Sequence, residues 1–130
     1  MENIIKMRLA MKDSPEGDWI QEAWVPKGGD GTDKGLITAI SIRGHIGTVL
    51  NNYGYHTCKI DKYLWLPSVE DYLGMVDWED DLSCENLTAI GDVLSYSYDY
   101  FKQFKTWPEL MLAFVQHEIK SLSWDGEGWR

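Results

Sequence analysis

The chain has 130 residues, of which 44% are hydrophobic and 25% charged. These values suit one globular domain long enough to bury a core. A formal net charge of −9 and an isoelectric point near 4.6 argue against direct binding to nucleic acid or to an anionic membrane, because the long-range field repels phosphates. Cys58 and Cys84 are too few for a disulfide framework, no run approaches about 18 apolar residues, and the first residues lack a signal-peptide core. A cytoplasmic protein without a membrane span is the expectation.

Taken in order, Ile5, Met7, Leu9 and Met11 alternate with Lys6, Arg8, Ala10 and Lys12. This period of two predicts a strand with one buried face and one basic, wet face. Residues 13–17 (Asp-Ser-Pro-Glu-Gly) form a turn by composition, and residues 18–25 read as a second strand ended by Pro26. Together they predict an antiparallel hairpin.

Residues 27–35 are a glycine-rich loop. A phosphate-binding loop is ruled out because Lys34 precedes Gly35 instead of following it. The run from Gly28 to Asp33 matches the opening of a calcium-binding β-helix repeat, but Gly35 stands where that repeat needs a large apolar residue, and there is one copy only.

Residues 36–43 alternate and are β-branched, which favours a strand. The alternative, a helix from a Thr32 cap to a Gly54 stop, would be weakened by Gly44 and Gly47. A short helix is expected over residues 45–51, closed by Asn52-Tyr53-Gly54, and an extended segment over 55–66, stopped by Pro67.

In the C-terminal half, Ser68 caps a predicted helix over residues 69–76, with Asp71 at the fourth place of the capping pattern. Ser83 or Asn86 starts the next helix, in which Leu87, Ile90, Leu94, Tyr98 and Phe101 recur at helical spacing. Thr106-Trp107-Pro108-Glu109 is the clearest local signal: Thr caps, Pro occupies the first turn, and Glu completes a capping box. The apolar residues after it fill an arc of about 200°, which predicts a helix packed on more than one side. Residues 124–129 read as a tight turn between two Trp. The fold class expected is α+β: an N-terminal antiparallel hairpin or small sheet packed by two to three helices from the C-terminal half, in one domain.

Charge is segregated. Residues 63–101 hold nine acids (Glu70, Asp71, Asp77, Glu79, Asp80, Asp81, Glu85, Asp92, Asp99) and no Lys or Arg, so this stretch accounts for the whole net charge. If the helix after Ser68 continued, Glu70, Asp77, Asp81 and Glu85 would share about 80° of arc.

Catalytic and metal motifs fail on particular residues. Glu118 falls near the middle of the apolar arc of the last helix, where a carboxyl group can serve as a general acid. The ordinary alternative is that it accepts a hydrogen bond or reaches solvent near the helix end. His117-Glu118 does not open a zinc-protease motif, because Ser121 stands where the second His belongs. His56 and Cys58 make one ligand pair, with His45 and Cys84 as distant completions, whereas structural zinc takes two close pairs. The cluster Asp77, Glu79, Asp80, Asp81 lacks the EF-hand glycine, since Leu82 occupies that place. No metal and no cofactor is expected.

The function expected is therefore that of a small acidic, non-catalytic interaction protein. It would present carboxylates to the basic nucleic-acid-binding surface of a partner protein, in the manner of the inhibitors that phages and mobile elements encode. The candidate surface is Glu70, Asp77, Trp78, Asp80, Asp81 and Glu85, with Trp78, Tyr72 or the group Tyr96, Tyr98 and Tyr100 as anchors. A homo-oligomer is compatible with this reading. The alternative is a small enzyme or ligand-binding domain with a Trp- and Tyr-lined pocket using Glu118 with His117, His56 or His45.

Overall fold

In the computed structural model, which describes residues 2–41, 45–60, 63–76 and 84–130, the N-terminal segment is helical. Helix α1 spans Glu2–Ala10 and runs into a 3₁₀ turn at Met11–Asp13; a short helix α2 spans Trp19–Glu22. The predicted hairpin of residues 5–11 and 18–25 is thus replaced by two helices around the expected turn. The buried residues are Ile4, Met7, Arg8 and Met11, at spacings of three, one and three, whereas Leu9 is 49% exposed. That is a helical stripe. The period-two reading failed because it placed Arg8 on a wet face, and Arg8 is buried.

The sheet lies further along. Strands β1 (Gly31–Thr32), β2 (Gly35–Ile40), β3 (Ile46–Asn51), β4 (Gly54–Lys59) and β5 (Trp65–Leu66) form one antiparallel sheet in the order β4-β3-β2-β1-β5. The strand expected over 36–43 is present as β2, with residues 42–44 outside the described set. The short helix expected over 45–51 is instead β3: Gly47 and Val49 are buried while Ile46 and Thr48 are more exposed, the alternation of a half-buried strand. Across the strands, Ile37 opposes Val49, and these two with Ile60 form a core under Trp24, Ile40, Cys58 and Tyr63. Each such burial contributes about 1.5–3 kcal/mol. Pro67 follows β5, as expected of a residue that cannot extend a ladder.

The helices of the C-terminal half are α3 (Val69–Met75), α4 (Cys84–Tyr96), α5 (Tyr98–Phe101) and α6 (Trp107–Lys120). The chain is α+β, with its antiparallel sheet from the N-terminal half and its longer helices from the C-terminal half. It divides into two compact units, one of Met1–Ser68 with Trp124–Arg130 and one of Val69–Ser123.

Within the second unit α3 packs on α6, with Tyr72 fully buried. The Thr106 cap of α6 forms as read from the sequence, the Glu109 N–H donating to Thr106 Oγ1 at 3.4 Å, but the Glu109 carboxylate accepts from the Thr106 hydroxyl where a capping box would use the backbone N–H. Such a cap contributes about 1 kcal/mol. Every residue from Met111 to Gln116 is buried, as the wide apolar arc predicts. Within the first unit, the terminal turn closes by a bridge between Trp124 and Trp129, whose rings lie 5.2 Å apart, and Trp129 Nε1 donates to the Met7 carbonyl at 2.9 Å.

Candidate functional site

Each unit carries one constellation of interest. In the helical unit, the acids and aromatics sort by the break between α4 and α5. Asp92 and Tyr96 are one helical turn apart on α4, and both are exposed, Tyr96 at 91%. At Ser97 (φ −109°, ψ 33°) the helix is interrupted, and α5 starts in a new phase. The interruption turns Tyr98 outward, 63% exposed, although helical spacing had placed it on the apolar stripe.

Asp99, 96% exposed, pairs with Lys102 at 3.2 Å, and the Lys102 ammonium stands 5.9 Å from the Tyr98 ring centroid. Phe101 and Phe104 turn inward, and Tyr100 packs edge-on to Phe104 with centroids 5.4 Å apart. The exposed acids and tyrosines described on α4 and α5 are therefore Asp92, Tyr96, Tyr98 and Asp99.

Of the residues the sequence singled out, Glu70 is exposed on α3. Asp77, Trp78, Asp80 and Asp81 lie outside the described residues, as does the side chain of Glu85 on α4. Tyr72 cannot act as an anchor, because it is fully buried. Asp92 and Asp99 lie outside the patch that the sequence predicts; the i, i+4 spacing of Asp92 and Tyr96 is the signal that points to the first of them.

Glu118 and His117 are brought together, with His117 Nδ1 3.1 Å from Glu118 Oε1 and side chains 37% and 34% exposed. The His117 ring also sits edge-on to Phe101, centroids 5.8 Å apart. Glu118 reaches solvent because it lies in the last turn of α6, beyond the buried run that ends at Gln116. Neither residue lines the clefts described next. Among the described residues, no group of three or more His, Cys, Asp or Glu is placed to hold a metal ion.

In the sheet-bearing unit, an open cleft of about 310 Å³ is lined by Leu9, Lys12, Asp18, Gln21, Asp33, Tyr63 and Leu64. A buried polar network underlies it. Asp18 caps α2 by accepting from the Gln21 N–H, the capping pattern Asp-x-x-Gln that the strand reading passed over. Arg8 donates to Asp18 Oδ1 at 2.7 Å, to Gln21 Oε1 at 3.2 Å and to the Trp65 carbonyl at 3.1 Å. Gln21 in turn donates to the Tyr63 carbonyl at 2.9 Å and accepts from the Trp65 N–H at 2.9 Å. A buried carboxylate, Asp30, accepts from Trp24 Nε1 and from the Lys27 N–H and ammonium, which folds the glycine-rich loop into an ordered turn. A smaller cleft of about 220 Å³ in the helical unit lies beside Trp107, which is 67% exposed.

The Tyr63 hydroxyl donates to Cys58 Sγ at 3.0 Å. That bond, reinforced by partial burial and by the charges of Cys58 and Asp33, raises the phenol above its ordinary value of 10.0. The folded state holds this proton more tightly than the unfolded chain does, so the contribution is whole below pH 10.0 and is lost as pH rises through the folded value. The denaturation midpoint of the native chain should therefore fall more steeply between neutral and strongly alkaline pH than that of Tyr63→Phe. Parallel curves would show that the phenol is not so held.

No protein-family model matches this chain, and neither does any curated protein or solved structure.

Proposed function

We propose that the chain is a non-catalytic interaction protein whose helical unit docks on the basic, nucleic-acid-binding surface of a partner protein and blocks it. The observation that carries this reading is the distribution of charge between the two units. Val69–Ser123 holds eleven acids against three bases, a formal −8, while the sheet-bearing unit is close to neutral with ten acids and nine bases. A charge so concentrated steers a basic partner to one unit, speeds association and makes the complex salt-sensitive. Exposed tyrosines beside exposed acids supply what charge alone does not, since large amphipathic rings carry interface affinity. Glu70, Asp92 and Asp99 are the exposed acids of this unit whose side chains are described N-terminal to Phe101, and the exposed Tyr96 and Tyr98 lie between the latter two in sequence.

The test is retention of purified basic nucleic-acid enzymes on the immobilised chain. Binding is expected at low salt, with release on raising salt and competition by duplex DNA. The triple variant Asp92→Asn, Tyr96→Ala, Asp99→Asn should weaken it at least tenfold. Retention indifferent to salt, to DNA and to that variant would overturn the reading.

A further inference from the structure

The edge of the sheet supplies an inference independent of the acidic helical unit. Strand β4 is outermost, six residues long, and contains neither proline nor a break in its register with β3. Native edges of this length are normally shielded, because their unpaired backbone groups template another strand. Here the shielding is slight: Tyr55, His56, Thr57 and Lys59 are all exposed, Tyr55 at 69%.

The register shows which backbone groups face outward. Asn51 and Gly54 close a two-residue turn, and the Ile60 N–H donates to the His45 carbonyl at 3.0 Å. In an antiparallel ladder, bonded and unbonded pairs alternate. His56 and Cys58 therefore bond inward to β3, and Tyr55, Thr57 and Lys59 direct their N–H and C=O groups to the open edge. Among the described residues no hydrogen bond reaches those groups.

We infer that β4 pairs antiparallel with β4 of a second copy of this chain, about a two-fold axis at Thr57. The outward groups must meet outward groups, which restricts the axis, and the strand length selects one position. Centred on Thr57, Tyr55 bonds to Lys59 of the second copy, Thr57 to its own counterpart, and Lys59 to Tyr55, each pair exchanging both backbone bonds. An axis at His56 pairs only Tyr55 with Thr57 before running into the turn at Asn52 and Tyr53. An axis at Lys59 sets two ammonium groups opposite each other.

The chosen register also matches side chains. Tyr55 meets the Lys59 ammonium of the second copy on the same face, a cation–π pair formed twice by symmetry. Across the sheet, Leu36, Leu50 and Tyr55 form a row on the exposed face, and Ile46 opposes Lys59. Pairing extends that row over the Lys59 stem toward Ile46 of the second copy. The two-fold, self-complementary edge is the reason to name a second copy as the occupant; no other segment need be supplied.

Sedimentation and residue-resolved amide exchange at low and high protein concentration test this together. The expected result is a dimer that grows with concentration. The amides of Tyr55, Thr57 and Lys59 should become protected only in the dimer, while those of His56 and Cys58 are protected at both concentrations. Tyr55→Lys, at an exposed position, should weaken the dimer about tenfold or more by facing Lys59 of the second copy, and adding Lys59→Glu should restore it. A chain that stays monomeric, a dimer in which the three outward amides still exchange freely, or a dimer untouched by Tyr55→Lys would overturn the inference.

Discussion

Arg8→Met is expected to destabilise the sheet-bearing unit by about 3–5 kcal/mol, the range for removing one partner of a buried ion pair. Arg8 is fully buried, and its guanidinium supplies bonds to Asp18, Gln21 and the Trp65 carbonyl, so it joins α1, α2 and β5. Methionine fills much of the same volume but removes the guanidinium from all three acceptors; Asp18 keeps only the Gln21 N–H against its charge, which stays largely shielded at 17% exposed. Adding Asp18→Asn should recover part of the loss, because the stranded charge is then gone. The natural comparison is Lys6→Met. Lys6 pairs with Glu127 at 3.6 Å between side chains 51% and 85% exposed, so its removal should cost no more than about 1 kcal/mol. Chemical denaturation of the three variants measures this. Equal midpoints for Arg8→Met and Lys6→Met would show that the network does not hold the unit together.

Gly35→Ala should cost about 2–6 kcal/mol, from two sources that a comparison separates. Gly35 has φ +138°, a conformation strained for residues with a side chain, and a methyl group there would lie 2.5 Å from the Leu50 carbonyl oxygen and 2.8 Å from Val49 Cγ1. Backbone strain contributes about 1–3 kcal/mol and the overpacking a similar amount. Gly54 has φ +102° but open space around it, so Gly54→Ala should show the strain alone. The difference in unfolding free energy between the variants reports the clash of β2 with β3. If Gly35→Ala were the milder of the two, the close approach of those strands would be refuted.

The candidate site was legible only in part. Its charge was read correctly as a property of the sequence, because counting acids requires no geometry. Which rings are exposed is not legible in the same way: Tyr72, a candidate anchor, is buried, and Tyr98, which fits both the apolar stripe and the anchor group, is exposed. Tyr72 is buried on α3 and Tyr98 is exposed because the break at Ser97 resets the helical phase. The polar network around Arg8 left one readable trace, the capping pattern from Asp18 to Gln21, which outweighed the apparent alternation of the residues after it.

What the sequence determined by itself are the features whose partners lie within one turn of chain. The Thr106 cap and the turn before Asp18 satisfy backbone groups three residues away, the closing turn pairs Trp124 with Trp129 five residues on, and α3 starts directly after Ser68. The tertiary structure alone decided whether residues 2–10 are helix or strand. Short apolar runs fit both periods, and the deciding interaction, burial of Arg8 against the Trp65 carbonyl, spans 57 residues of sequence. It also decided that residues 46–51 form a strand, because the ladder bonds that favour it come from β2 and β4, beyond the reach of any local propensity.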